Sequence, residues 1–163
     1  NNMELKSVAI SLPENSNLIL GQAHFIKTIE DLYEIMVCTS AHVKFGIAFC
    51  EASGPCLIRV AGNDLNLQAA ATKNAEAIAA GHSFIILLQE AYPLNFLNAI
   101  KQCPEVCTIY CATANPVEVI VAETAQGRGI LGVIDGFAPQ GVESAEDVQA
   151  RQTLLRQIGY KLC

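Results

Sequence analysis

Charge is scarce in this 163-residue chain: charged residues make up 16% of it against 52% hydrophobic. Such a composition excludes a self-repelling disordered segment and can bury a large apolar interior, with surface to spare for an oligomer. Positive charge is scarcer still, 10 Lys+Arg against 16 Asp+Glu for a net charge of -6. A surface of that sign repels phosphate backbones, so nucleic acid is excluded as an expected partner. No apolar run reaches the roughly 20 residues that cross a bilayer. The start, NNMELKSVAI, lacks the basic region and long apolar segment of a signal peptide. A cytoplasmic protein without membrane contact is expected. Asn1 and Asn2 stand ahead of a methionine and read as additions outside the natural start, leaving 3–163 as one domain. Seven cysteines, an odd number at scattered spacing, make a poor disulfide framework and read as reduced thiols. Neither an internal repeat nor a low-complexity linker is present.

What the chain does contain is alternation of short apolar runs with helical periodicity. ELKSVAI (4–10) and NLIL (17–20) read as two strands that could pair across the turn PENSN. Thr28 reads as the N-cap of a helix whose apolar positions Ile29, Leu32, Ile35 and Met36 recur at helical spacing. KFGIAFCEA and LIRVAG are strands around the turn SGP. Asp64 caps an alanine-rich helix that Gly81 would end in the left-handed conformation. HSFIILLQ is apolar on both faces, which marks a central strand. PLNFLNAIKQC predicts a short helix opened by proline. VCTIYCAT, VEVIVAE and GILGVIDG are further strands, the last two joined as a hairpin by TAQGR, and SAEDVQARQTLLRQIG closes the chain as a serine-capped helix. The sum is α/β: a single domain with a mixed sheet and helices packed on its faces.

Three patterns invite a ligand. GQAHFIKT ends in Lys-Thr like a phosphate-binding loop, but Ile26 stands where the glycine before Lys27 belongs. GRGILG matches G-x-G-x-x-G yet leads into a strand, so a dinucleotide fold is excluded and a tight hairpin, or a hairpin whose amides approach a phosphate, remains. Cys103, Cys107 and Cys111 are evenly spaced, but the last two lie about 13 Å apart on a strand, too far for one zinc ion. Most of the thiols therefore read as small core hydrophobes.

Of His24, His42 and His82, the last stands out, between a helix and a buried strand, with Gly81 beside it. A histidine there is commonly a packed core residue; with one ring nitrogen free it is also a nucleophile toward phosphorus. Other polar residues punctuate apolar segments: Lys44, Glu51, Asn63, Asp64, Asn95, Asn98, Asn115, Glu118, Arg128 and Asp135. They supply the amides, carboxylates and cations that purine, ribose and phosphate recognition needs, and equally the caps and ion pairs of any domain.

KFGIAFCEA, AGND, GHSFIILL, YPLNFLNAIK, CATANPVEVIVAE and GRGILGVIDG, in this order, resemble the adenosine-specific kinases, small archaeal and bacterial proteins. The resemblance implies an α/β domain that assembles as a homo-oligomer, binds adenosine, AMP or ADP, and carries a phosphorylatable histidine, here His82. It further implies a phosphotransferase using ATP or another adenine nucleotide as donor, with Lys44, Asn63, Asp64, Asn95, Asn115, Glu118, Arg128 and Asp135 as candidate nucleotide contacts. A divalent metal would find candidate ligands in Asp64, Asp135 and Glu51. Two features oppose this: His82 opens its strand, whereas ligands of open α/β sheets sit at carboxyl ends, and the preceding helix C-terminus favours imidazolium. The alternatives are a non-catalytic oligomeric nucleotide sensor and a thiol-dependent redox protein built on Cys107 and Cys111.

Overall fold

The computed structural model describes residues 2–163; the expectation about Asn1 lies outside the described residues. Among the described residues, eight strands form two sheets. The larger has the order β4-β3-β5-β2-β6, from Ile58–Gly62, Lys44–Cys50, Ser83–Gln89, Asn17–Ala23 and Val106–Thr113; the smaller is β1-β7-β8, from Glu4–Ala9, Val117–Glu123 and Arg128–Asp135. Every pairing is antiparallel. The expected α/β layering is present. One face of the larger sheet carries α1 (Thr28–Thr39) and α3 (Leu97–Lys101); the other carries α2 (Leu65–Ile78) and the smaller sheet. The fourth helix, α4 (Ala145–Gln157), buries no residue.

The alternation in β3 decides how these layers stack. Phe45, Ile47 and Phe49 point toward α1, with Phe84, Phe96 and Leu32. The intervening Gly46, Ala48 and Cys50 are small and face α2, whose Ala71 and Ala75 are small too. The helix therefore lies close on the sheet: a Cβ on Gly46 would stand 2.3 Å from the Leu67 carbonyl carbon and the Gln68 nitrogen.

Five local expectations are corrected. β1 does not pair with β2; its partner is β7, because Leu18, Leu20 and Val119 fill one core only if the two opening strands enter different sheets. Lys27, not Thr28, is the N-cap of α1 and makes no side-chain cap. The left-handed residue ending α2 is Ala79 (φ 51), while Gly81 is needed for close approach, its would-be Cβ lying 2.9 Å from that of Ala52. Of the seven free thiols only Cys50 and Cys103 are buried, so most are not core hydrophobes. Pro93 opens a 3-10 turn over Pro93–Asn95 ahead of α3, so that helix begins four residues late.

Antiparallel pairing removes one sequence-level objection. The end of the larger sheet where β5 begins is also where β2 and β3 finish, so His82 sits among strand carboxyl ends after all.

Candidate active site at the His82 end of the sheet

His82 is held by its backbone. Its N–H donates to Cys50 O at 2.7 Å and its carbonyl accepts from Ala23 N at 2.9 Å, tying the ends of β3 and β2 together. To make both bonds it adopts φ 64, the left-handed region that a residue with a Cβ enters at a cost of about 1–2 kcal/mol. The half-buried ring stacks on Phe49, centroids 5.8 Å apart with planes 21° from parallel. No hydrogen bond to either ring nitrogen exists among the described residues, and neither is a buried orphan atom. A strained backbone therefore presents an imidazole with both nitrogens unclaimed by protein.

Two guanidinium groups lie at this end of the larger sheet. Arg59 pairs in register with Phe49, so its side chain leaves the sheet on the face that carries the His82 ring. Its Nη2 bonds Glu51 Oε1 at 2.7 Å, while its Nε is buried with no acceptor. Glu51 also accepts from Leu57 N at 2.8 Å; that backbone bond first, and Arg59 second, hold its carboxyl below the ordinary range. Arg128 donates from Nε to Glu123 at 2.9 Å and from Nη1 to the carbonyls of Ala77 and Ile78 at 3.0 and 3.3 Å. It thus meets the negative C-terminal end of α2, the very charge that the sequence suggested would fall on His82. Nη2 of Arg128 is left for a ligand.

A cavity of about 560 Å³ opens at this end of the larger sheet, between the end of α2 and the smaller sheet, lined by Glu51, Ala52, Gly81, Ala122, Arg128 and Gly129 among others. Purine-sized ligands occupy sites of about 300–1,000 Å³. Gly81 lines it, whereas the His82 ring, stacked on Phe49, and Arg59 are not among its lining residues.

The remaining residues singled out from the sequence are gathered at the opposite end. Lys44 is separated from Phe49 by five residues of strand, about 17 Å. Asn63 spends its side chain on Phe45 N (2.9 Å) and Val43 O (2.8 Å), extending the β3–β4 ladder. Asp64 caps α2 through Leu67 N at 2.9 Å, as expected. Asn115 donates to Asp135 at 3.2 Å, and Glu118 is exposed on β7. Asn95 accepts from Tyr92 N at 3.3 Å and, with Asn15, Asn17 and Glu90, lines a second cavity of about 670 Å³ at that far end. Of the eight candidate contacts, Arg128 alone stands at the His82 end. Arg59 was missed because an arginine in a short strand reads as an ordinary surface cation; its register with Phe49 becomes visible only once β3 and β4 are paired.

The candidate metal ligands Asp64, Asp135 and Glu51 are engaged as cap, amide partner and Arg59 partner respectively, and are not clustered. Among the described residues the ligand atoms of Asp31, Cys103 and Glu105 lie within 4.8 Å of one another. Lys27 bridges both carboxylates there and already supplies the positive charge. Burial pushes the Glu105 carboxyl up, but hydrogen bonds with Asp31, Cys103, its own backbone and Lys27 outweigh it and hold the group at about 2. Burial, with the adjacent Glu105, pushes the Cys103 thiol up to about 11; burial and the charge of Asp135 do the same to Cys111. Protonated thiols are poor nucleophiles, which weighs against redox chemistry at Cys111.

A layered α/β domain that gathers an unclaimed imidazole, two guanidinium groups and a purine-sized cavity at one end of its larger sheet has the makings of a phosphate-handling site. Residues 8–161 match the family described as adenosine specific kinase, and the chain belongs to that family. The family carries a nucleoside kinase-like function and, in general terms, a nucleotide as phosphate donor. The chain is similar to the crystal structure of the PH1918 protein from Pyrococcus horikoshii OT3, with 44% identity over 99% of this chain and 100% of that one and a TM-score of 0.95. No curated protein matches it. No helix among the described residues is long and apolar enough to cross a membrane.

Proposed function

We propose that the protein is a phosphotransferase that moves a phosphoryl group from an adenine nucleotide to adenosine through a phosphohistidine at His82. One observation carries the reading: an imidazole with neither nitrogen bonded to protein, held in a strained backbone and stacked on Phe49, whose cross-strand partner Arg59 has a buried Nε–H with no acceptor. A buried N–H without an acceptor costs about 1–3 kcal/mol. A phosphate oxygen on His82 would supply that acceptor to Arg59.

In the first step an unprotonated His82 nitrogen attacks the terminal phosphorus of ATP. The N–P bond forms, the bond from phosphorus to the bridging oxygen breaks, and ADP leaves with the electron pair. Arg59 and Arg128 Nη2 spread the charge on the equatorial oxygens. In the second step an adenosine hydroxyl attacks the same phosphorus, the N–P bond breaks, and the hydroxyl proton passes to the imidazole or to water. Donor and acceptor share the adenine base, so one cavity used in turn serves both steps, which suits a short chain. Glu51, which lines the cavity, is held by Arg59, and Glu123 by Lys6 and Arg128. They act as orienting partners of the cations.

γ-Labelled ATP should leave acid-labile, base-stable label on the protein, and adenosine should then remove it as AMP. Arg59→Ala should slow labelling about a hundredfold, the usual effect of deleting one donor to a developing anion. Nucleotide binding without any transfer would leave a non-catalytic sensor instead. The reading makes the protein a cytoplasmic enzyme that acts as a homo-oligomer.

A further inference from the structure

Where α3 runs into β6, three side chains that do not line the His82 cavity converge on the start of α1. Among the described residues, Asp31, Cys103 and Glu105 form the one group of three His, Cys, Asp or Glu side chains whose ligand atoms all lie within 4.8 Å of one another. Cys103 is 7% exposed and Glu105 6%, so this is interior and not a solvated acidic face.

The oxygens of the cluster are divided between two tasks. Glu105 Oε1 accepts from Lys27 Nζ at 3.3 Å, whereas Oε2 accepts from the Cys103 thiol at 3.2 Å. Asp31 meets the same ammonium through Oδ2, and Oδ1 is left unclaimed by it. Lys27 therefore engages one oxygen of each carboxylate, and the other oxygen of each remains beside the sulfur. An oxygen and a sulfur on one tetrahedral zinc ion stand about 3.5 Å apart, given Zn–O and Zn–S bonds of about 2.0 and 2.3 Å. The 3.2 Å between Cys103 Sγ and Glu105 Oε2 needs little adjustment to reach that.

Charge points the same way. Two carboxylates and one ammonium leave a net negative charge on largely buried atoms, which is costly without a counter-charge. A divalent cation that displaces the thiol proton sets three positive charges against three negative ones. The fully buried Thr28 Oγ1 has no hydrogen-bond partner, and Thr28 stands three residues before Asp31 on α1, its neighbour on the helix surface. A metal-bound water would give that hydroxyl a partner. Solvent has a way in, because Asp31 and Cys103 both line a cavity of about 380 Å³ between α1 and α3.

We infer that Asp31, Cys103 and Glu105 bind one zinc ion, with a water from the α1–α3 cavity as the fourth ligand. A thiolate with two carboxylates in a four-coordinate set suits zinc, whereas magnesium and calcium take six or more oxygens. On binding, the Cys103 S–H bond breaks, its proton passes to solvent and the sulfur electron pair forms the bond to zinc; nothing is oxidised or reduced. The ion joins α1 to the start of β6. Glu105 O accepts from His24 N at 2.7 Å, and the adjacent Ala23 N donates to His82 O at 2.9 Å, so the joint braces the strand end that holds His82. Its role is structural, and the inference is independent of the phosphohistidine chemistry.

The test is metal binding by the full chain, stripped with a chelator and titrated with zinc alone or with cobalt(II) as a coloured substitute. Equilibrium dialysis should give one zinc per chain, and the cobalt form should show a thiolate-to-metal charge-transfer band with the strong visible absorption of tetrahedral coordination. Cys103→Ser should abolish the band, and both it and Glu105→Gln should weaken zinc binding at least about a hundredfold, since even outer partners of a metal ligand count for about 10–100-fold. Cys107→Ser and Cys163→Ser, at exposed thiols outside the ligand set, should keep band and affinity. Zinc at a hundredfold excess over its Kd should raise the melting temperature of the parent by about 5 °C or more and leave that of Cys103→Ser unmoved. Should the buried variants fail to fold, anomalous scattering from a zinc-soaked crystal of the parent decides: a peak between Cys103 Sγ, Glu105 Oε2 and the Asp31 carboxylate upholds the inference, and its absence overturns it. A parent that binds no zinc, or a cobalt band that survives Cys103→Ser or is lost in Cys107→Ser or Cys163→Ser, overturns it too.

Discussion

His82→Ala should reduce acid-labile phosphate incorporation from γ-labelled ATP to background, a fall of at least about a hundredfold, since removing the nucleophile removes the only route to the covalent species. Alanine alone leaves open whether the fold has been disturbed, because His82 also joins β2 and β3 through its backbone. The backbone conformation offers the control. His82→Gly keeps both main-chain hydrogen bonds and relieves φ 64, so it should raise the unfolding free energy by about 1 kcal/mol while labelling is equally lost. Loss of label together with a gain in stability separates chemistry from structure. Label surviving in either variant, or a glycine variant less stable than the parent, would contradict the account.

Gly46→Val is the second large effect, and it falls on stability. A Cβ at this position would meet backbone atoms of the first turn of α2 at 2.3–2.4 Å. Backbone cannot rotate away as a side chain can, so the helix must shift from the sheet along the Gly46, Ala48, Cys50 seam and lose packing with Leu67 and Ala71. A loss of at least about 3 kcal/mol is expected, a large share of the 5–15 kcal/mol that holds a domain together. Gly127→Ala, in the hairpin where a Cβ meets nothing within 4 Å, should change stability by about 0.5 kcal/mol or less. Urea midpoints measure both, and a Gly46 variant within about 1 kcal/mol of the parent would refute the close stacking.

Much of this architecture was legible. The alternation in KFGIAFC separates three large residues from three small ones, and the alanine-rich helix that follows carries the matching small face. The Asp64 cap, the β7–β8 hairpin and the central place of SFIILLQ follow from period and turn chemistry. Pairing was not legible. Nothing in ELKSVA says that it joins β7 and not β2, since the choice depends on which faces share a core.

The site was legible to the same depth. His82 could be found because an ionisable residue between a helix and a buried strand is conspicuous in sequence. The residues around it could not, because they come from distant strands. Lys44, Asn63 and Asp64 looked like ligand contacts for the reason that made them caps and ladder extensions: a polar group at an apolar boundary serves either purpose. Arg59 looked like surface until its register with Phe49 placed it on the face of the histidine ring.

A crystal structure with AMP tests the central claim most directly, because the two ends of the sheet each offer a cavity of sufficient size. The account predicts AMP in the cavity bounded by Gly81, Arg128 and Gly129, its phosphate against Arg59 and the imidazole of His82. AMP bound instead among Asn17, Glu90 and Asn95 at the far end, with His82 facing no ligand, would contradict it.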